Sequence, residues 1–194
     1  MLVLASASPR RQELLRNAGI SFVVQPTDIP EVPRPGEAPR VVAERLAREK
    51  ALAVSGQRPA DFVLGADTIV VVDAAILGKP RDRADAARML RLLSGRKHQV
   101  ITGVCLLGAQ AGTEGQKTDL QDVRSATTVV TMGALSDEDI RSYISTGEPM
   151  DKAGAYAIQG RASRWISCIE GDYFNVVGLP IALVFKMLCE YGVT

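Results

Sequence analysis

Arg10 and Arg11 follow Ser6-Ala7-Ser8-Pro9, where a short apolar strand gives way to a helix. Two cations in the first turn of a helix stand where the macrodipole is already positive, the wrong end for stability. A site that grips an anion tolerates this, because first-turn amides and guanidinium groups then converge on one guest. Further along stand Glu31 in a proline-rich loop, Lys50 within Ala47-Arg48-Glu49-Lys50-Ala51, Asp67 and Thr68 between two apolar runs, and Lys79 between Gly78 and Pro80. Cations of this kind neutralise phosphate oxygens, and carboxylates hold a Mg²⁺-type ion or orient a water. The set predicts metal-dependent phosphate chemistry.

Each member has a plainer reading. An unselected arginine pair is more often solvated surface, and Lys50 among charged neighbours reads as an exposed, ion-paired helix face. Asp67 resists that treatment: it interrupts Val63-Leu64-Gly65-Ala66 and Ile69-Val70-Val71-Val72, so it is a buried hydrogen-bonded acid or a functional one, with function the stronger reading. His98, the only histidine, reads as a half-buried residue at a strand start.

Other chemistries are excluded by what is missing. A zinc site needs spacings such as CxxC or HxxxH, which do not occur, and one histidine leaves little room for a Ser-His-Asp triad. Neither GxGxxG nor GxxxxGK[ST] is present, which disfavours a dinucleotide cofactor and a Walker-type nucleotide site. A net charge of +1 gives no global field for nucleic acid or an anionic membrane, so any anion site must be local. No apolar run approaches the ~20 residues of a membrane span. The opening Met1-Leu2-Val3-Leu4-Ala5, followed at once by serines and arginines, reads as a strand and not as a signal peptide. The three cysteines, Cys105, Cys168 and Cys189, lie in apolar segments and read as buried free thiols of a cytoplasmic protein.

The elements that would carry these residues follow from caps and periodicity. Ser8 caps a first helix with Pro9 at its first position and Gly19 just past its end. A strand is predicted over Ile20 to Val24. Half of the ten prolines then fall within 26–39, which makes that stretch an extended loop. A helix is predicted from Pro39 to Val54. Two strands, Phe62 to Leu64 and Ile69 to Val72, flank Gly65-Ala66-Asp67-Thr68, and Ile76 to Pro80 reads as a turn. Asp82 caps a helix with Ala86, Met89, Leu90 and Leu93 on one face. Gln99 to Leu107 and Ala126 to Val130 read as long strands, with the Gly- and polar-rich stretch 108–122 as a hairpin or excursion between them. Ser136-Asp137-Glu138-Asp139 opens a helix with a capping box. Short strands around Ile158 and over Trp165 to Ile169 lead to a final helix, Ile181 to Tyr191. The order predicts one domain over 1–194, α/β, with a mixed, partly antiparallel sheet flanked by helices.

These segments together resemble the Maf family of nucleotide pyrophosphatases. The resemblance runs from Leu4-Ala5-Ser6-Ala7-Ser8-Pro9-Arg10-Arg11 through Gly65-Ala66-Asp67-Thr68, Gly78-Lys79-Pro80, Leu93-Ser94-Gly95 and Thr102-Gly103 to Val177-Gly178-Leu179-Pro180. Asp151-Lys152-Ala153-Gly154-Ala155-Tyr156 followed by Ile158-Gln159-Gly160 resembles the subgroup acting on dTTP and UTP. The resemblance implies an inosine-triphosphate-pyrophosphatase-like architecture with a cleft between two lobes. It implies Asp67 as proton acceptor, Arg10, Thr68 and Gln159 as setters of base specificity, and Ser8, Arg11, Lys50 and Lys79 on phosphate. It also implies a divalent cation of the Mg²⁺ or Mn²⁺ type at Glu31 and Asp67, a nucleoside triphosphate as partner, and a homodimer. The family's late acid is replaced here within Gly171-Asp172-Tyr173-Phe174-Asn175, so neither Asp172 nor Asn175 receives a catalytic role. A nucleotidyltransferase and a non-catalytic, nucleotide-binding regulator of division are the alternatives. The first expects a Gly-rich opening loop, which Ser6-Ala7-Ser8-Pro9 is not.

Overall fold

The depth at which the second helix packs decides where the chemistry can sit. A computed structural model describes residues 1–111 and 117–193, with side chains outside 109–119. Helix α2 (Pro39–Ser55) buries Val42, Ala43, Leu46, Ala47, Lys50, Ala51 and Val54, the positions of one helical stripe. Its alanines leave the backbone bare, and the strands beneath are bare at matching places. A Cβ on Gly65 would lie 2.2 Å from the Ala47 carbonyl oxygen, and one on Gly103 would lie 2.3 Å from that of Ala43. Only glycine lets helix and sheet approach this closely. Around the contact, Val3, Ala5, Val63, Cys105 and Leu107 join Ala47, Ala51 and Val54 in one buried cluster.

The described residues also form helices α1 (Pro9–Asn17), α3 (Arg83–Leu93), α4 (Asp137–Ser145), α5 (Tyr173–Val177) and α6 (Ile181–Glu190), with 3₁₀ turns at Glu148–Asp151, Ala153–Ala155 and Arg161–Trp165. The strands are β1 (Leu2–Leu4), β2 (Val23–Val24), β3 (Phe62–Val72), β4 (Ala75–Leu77), β5 (Lys97–Ala111), β6 (Lys117–Met132) and β7 (Ile166–Glu170). They form one sheet in the order β2-β1-β3-β5-β6-β7, with β4 on β3. β1 pairs parallel with both β2 and β3, whereas β3–β4 and β6–β7 are antiparallel, so the sheet is mixed as expected.

The chain divides into two compact units: residues 1–67, 102–126 and 178–194 in the first, and 68–101 and 127–177 in the second. In the first, α1 is capped as predicted: the Ser8 side chain accepts from the Arg11 amide, Pro9 opens the helix, and Gly19 turns out at φ +70°. In the second, the Ser136–Asp139 capping box forms on α4, which packs on α3, and Asp82 caps α3.

Several expectations are corrected. The predicted pair of strands around Asp67 is one continuous strand, β3. The segment read as a turn at Ile76 instead forms β4, joined to β3 by Asp73 and Ala74 at φ 46° and 64°. Such a two-residue connection needs positive φ at both positions and matches the twist of the strands. No strand forms around Ile158, where the chain follows successive tight turns, and α5 stands where no helix was expected. β2 keeps only two residues of the strand predicted from Ile20. β5 reaches Ala111 and β6 begins at Lys117, so strands take up 108–111 and 117–122 of the stretch read as a hairpin or excursion, and residues 112–116 lie outside the described residues. Cys105 is buried, but Cys168 and Cys189 are exposed, because they fall on the outward positions of β7 and of the end of α6. Among the described residues no helix is long and apolar enough to cross a membrane.

Candidate active site

In the first unit the alternation of β3 turns Val63, Gly65 and Asp67 to one face, the face on which α2 lies. Lys50 is on the buried stripe of α2, two turns beyond Ala43, and the close helix–sheet approach brings its ammonium 2.6 Å from Asp67 Oδ1. The same ammonium donates to Glu31 Oε1 at 2.6 Å, so one cation holds two carboxylates. Lys50 is therefore not the exposed, surface-paired residue of the plainer reading: it is 6% exposed and Asp67 is 4% exposed. Burial raises the Asp67 carboxyl above its ordinary range. Lys50 and, more weakly, Arg11 oppose that shift, and Glu31 adds to it. A carboxylate whose proton affinity is raised by burial is a stronger base than an exposed one, which suits it to accept a proton from water.

Glu31 reaches this cluster from the proline-rich loop 26–39, which is fastened to α2. Arg45 donates to both carboxylate oxygens of Glu37, to both of Glu49 and to the Val32 carbonyl next to Glu31. The Arg45 contact holds the Glu37 carboxyl down to about 2.

Arg11 lies on the buried stripe of α1 with Leu14 and Leu15. Its Nε donates to the Gly178 carbonyl at 2.8 Å, and Nη1 donates to the Ala66 carbonyl at 2.9 Å and to Ser6 Oγ at 3.2 Å. Burial works against its charge, and Asp67 and Glu31 support it. Ser6 Oγ also accepts from the Ser8 amide, and Ser8 Oγ from the Arg11 amide, so the opening loop is fixed by its own serines. Arg10 is half-buried beside them. Lys50 is thus in direct contact with both Glu31 and Asp67, with Arg11 coupled to the two acids through charge.

The remaining predicted residues belong to the second unit. Thr68 is half-buried, next to Asp67 along β3 and so directed to the opposite face of that strand. Lys79 is exposed just after β4, on a turn held where the Gly154 amide donates to the Gly78 carbonyl at 3.0 Å. Gln159 is exposed in a turn closed by the Gly160 amide on the Ala157 carbonyl.

Glu31 and Asp67 are hard oxygen donors converging on one cationic centre, a donor set that suits Mg²⁺ or Mn²⁺. Among the described residues no group of three or more His, Cys, Asp or Glu is placed to hold a metal by itself. Two carboxylates with substrate phosphates and waters completing the shell is the usual protein contribution to a Mg²⁺ site. The residues fit the ion.

A sequence model of the family described as Maf-like protein matches residues 1–191. The chain belongs to that family. Among Maf relatives, the dTTP/UTP pyrophosphatase of Koribacter versatilis is 59% identical over 192 residues, covering 99% of this chain and 95% of the relative. The dTTP/UTP pyrophosphatase of Symbiobacterium thermophilum is 53% identical over 191 residues, covering 98% and 94%. Among solved structures, a nucleoside-triphosphatase (dITP/XTP pyrophosphatase) of Mycobacterium abscessus aligns with a TM-score of 0.40 and 16% identity, over 69% of this Maf chain and 75% of its own.

The sequence singles out Ser6 with Ser8, Arg10 and Arg11 at the strand-to-helix turn, but not as the fastener of the opening loop, and it does not single out Tyr143 or Glu148. The serine carried a readable signal, since a buried hydroxyl beside an arginine needs partners. The other two are a core aromatic and a turn acid, with nothing local to single them out.

Proposed function

We propose that this Maf family member hydrolyses dTTP and UTP, and modified pyrimidine triphosphates with them, to the monophosphate and pyrophosphate. Relatives of that name at 59% and 53% identity over nearly the full chain support the substrate class. The observation that carries the chemistry is the buried Asp67 carboxylate, raised by burial and held at 2.6 Å by Lys50.

In this reading water attacks the α-phosphorus, its proton passes to Asp67, and the bond from that phosphorus to the bridging oxygen breaks to release pyrophosphate. Lys50 and Lys79 stabilise the charge that spreads over the phosphate oxygens as that bond lengthens. Ser8 adds a hydroxyl to the phosphate set. Arg11 adds its charge while its Nε and Nη1 hold the opening loop against Ala66 and Gly178. A Mg²⁺- or Mn²⁺-type ion, held by Glu31 and Asp67, would supply further neutralisation of phosphate charge. Arg10, Thr68 and Gln159 choose the base. The proposed setting is the cytoplasm, where the triphosphate pool lies, and the proposed assembly is a homodimer.

The test is incubation of the pure protein with UTP and Mg²⁺ and no co-substrate, scoring pyrophosphate against orthophosphate. Pyrophosphate and UMP in equal amounts, stopped by EDTA and restored by added Mg²⁺, is the expected result. Orthophosphate as first product, or no turnover without an acceptor, refutes the reaction; turnover surviving exhaustive chelation removes the ion.

A further inference from the structure

Gln159 stands at the apex of an exposed turn, and the chain on both sides of it is fastened to one pair of side chains. On the near side, the Ala157 amide donates to the Tyr143 hydroxyl oxygen at 3.1 Å. That hydroxyl donates in turn to Glu148 Oε1 at 2.7 Å. On the far side, the Arg161 amide donates to both oxygens of the same carboxylate, at 3.1 and 3.3 Å. The turn is closed between them by the Gly160 amide on the Ala157 carbonyl. Gly160 is bare for a reason: a Cβ there would lie 2.1 Å from Glu148 Oε1. The carboxylate occupies the place a side chain would take.

The pair is itself held firmly. Tyr143 is fully buried on the apolar face of α4 with Ile140 and Ile144. Its ring meets Trp165 edge to face at 5.5 Å, and the Glu148 amide donates to Thr146 Oγ1. Four consecutive bonds (amide 157 to hydroxyl 143, hydroxyl to carboxylate 148, carboxylate to amide 161, amide 160 to carbonyl 157) therefore fix the backbone from which Gln159 projects.

Such a frame matters for a carboxamide. Uracil and thymine present an acceptor at O4 beside a donor at N3, and cytosine presents the inverse order. A glutamine amide matches either order by turning over. Discrimination then depends on a fixed origin and direction for the side chain. We propose that Tyr143 and Glu148 are positioning residues for base choice, acting through Gln159. This rests on the reading of Gln159 as a base reader.

The experiment compares kcat and KM for UTP and CTP in the full chain and in Tyr143→Phe, Glu148→Gln, Gln159→Ala and Tyr143→Phe/Gln159→Ala. Tyr143→Phe removes one oxygen, and its expected effect is a roughly tenfold loss of UTP-over-CTP preference, below the ~10²-fold that a 1 Å misplacement costs. The loss is expected in the KM for UTP, with kcat within about twofold, as for an interaction made equally in ground and transition states. Glu148→Gln, which keeps an accepting oxygen for the Arg161 amide, is expected to lose less; it also serves as the measurement should Tyr143→Phe fold poorly. In the Gln159→Ala background, Tyr143→Phe is expected to change the preference no further. If Gln159→Ala abolishes the preference and folded Tyr143→Phe and Glu148→Gln keep it, the positioning role is overturned. Equal loss of kcat on both substrates, as from a purely structural change, also overturns it. If Gln159→Ala itself keeps the preference, the base-reader assignment fails, and the positioning role fails with it.

Discussion

Replacing Lys50 with methionine keeps the length of the stem and removes the charge, which isolates what the ammonium does. In the native protein Nζ is 2.6 Å from both Glu31 Oε1 and Asp67 Oδ1, and the three side chains are 8%, 36% and 6% exposed. Glu31 can turn to solvent when the ammonium is gone, but Asp67 cannot. The loss therefore falls on one buried carboxylate left without its partner, a change that costs roughly 3–5 kcal/mol. In a domain of this size that corresponds to a melting temperature lower by roughly 6–20 °C.

The pH dependence gives the decisive sign. Burial already holds the Asp67 carboxyl above its ordinary value, and Lys50 is the largest opposing influence, so Lys50→Met raises it further. A folded-state pKa above the unfolded value of ~3.9 means that the folded protein binds more protons in that window. Stability then falls as pH rises from ~4 through the folded pKa and is flat above it. In the variant this window extends upward, so the gap to the parent protein narrows on acidification. Thermal melts at pH 8 and pH 5 measure it, and Lys50→Met/Asp67→Asn should recover much of the loss by removing the stranded charge. A gap equal at both pH values, with no recovery in the double variant, would refute the buried-pair argument.

Asp67→Asn alone keeps the shape and removes the base, so turnover is expected to fall by ~10²–10⁴-fold with nucleotide binding retained; a folded variant with near-parental rate returns Asp67 to a structural role. Gly65→Ala places a methyl 2.2 Å from the Ala47 carbonyl oxygen, a backbone atom that cannot swing aside. The expected cost is ~1–3 kcal/mol or more, with lowered activity because α2 carries Lys50, and an unchanged melting temperature would contradict the packing described. His98 is buried with Nε2 at 2.8 Å from the Tyr156 hydroxyl and Nδ1 without a hydrogen-bond partner among the described residues, and burial lowers its pKa to about 4. With an unfolded value of ~6.5, its contribution is fully present above that pH and is lost on the way down to about 4, amounting to ~3 kcal/mol. Denaturant unfolding at pH 7 and pH 4.5 should therefore show a smaller pH dependence in His98→Gln than in the parent, and equal slopes would exclude the histidine as the cause.

Helix caps and one-face periodicity were legible because they are local. Ser8, Asp82 and the Ser136–Asp139 box each bond amides of their own helix, so the sequence within a few residues contains the whole interaction. The turns from Gly147 to Trp165 were not legible for the opposite reason. They are held by bonds between residues far apart in sequence, such as the Gly154 amide on Gly78 and, within the segment, the Arg161 amide on Glu148. The β3–β4 connection was missed because Asp73-Ala74 lacks the glycine that usually marks positive φ.

The continuity of β3 through Asp67 and the burial of Lys50 have one cause. Gly65 and Asp67 looked like a break in an apolar run, yet each answers a demand of the helix above. Gly65 admits the helix backbone, and Asp67 meets the lysine that the helix carries on its buried face. Lys50 occupies a stripe otherwise made of Val42, Ala43, Leu46, Ala47, Ala51 and Val54, and a lysine there needs a counter-charge within the core. Arg11 obeys the same rule on the stripe with Leu14 and Leu15, where carbonyls and the Asp67 and Glu31 charges compensate it. Three charged residues, Arg11, Lys50 and Asp67, stand at core positions of three different elements. A single charge in a core register needs a partner, and two cations with one acid among apolar neighbours need one another, so the pattern implies a shared centre before any coordinates do.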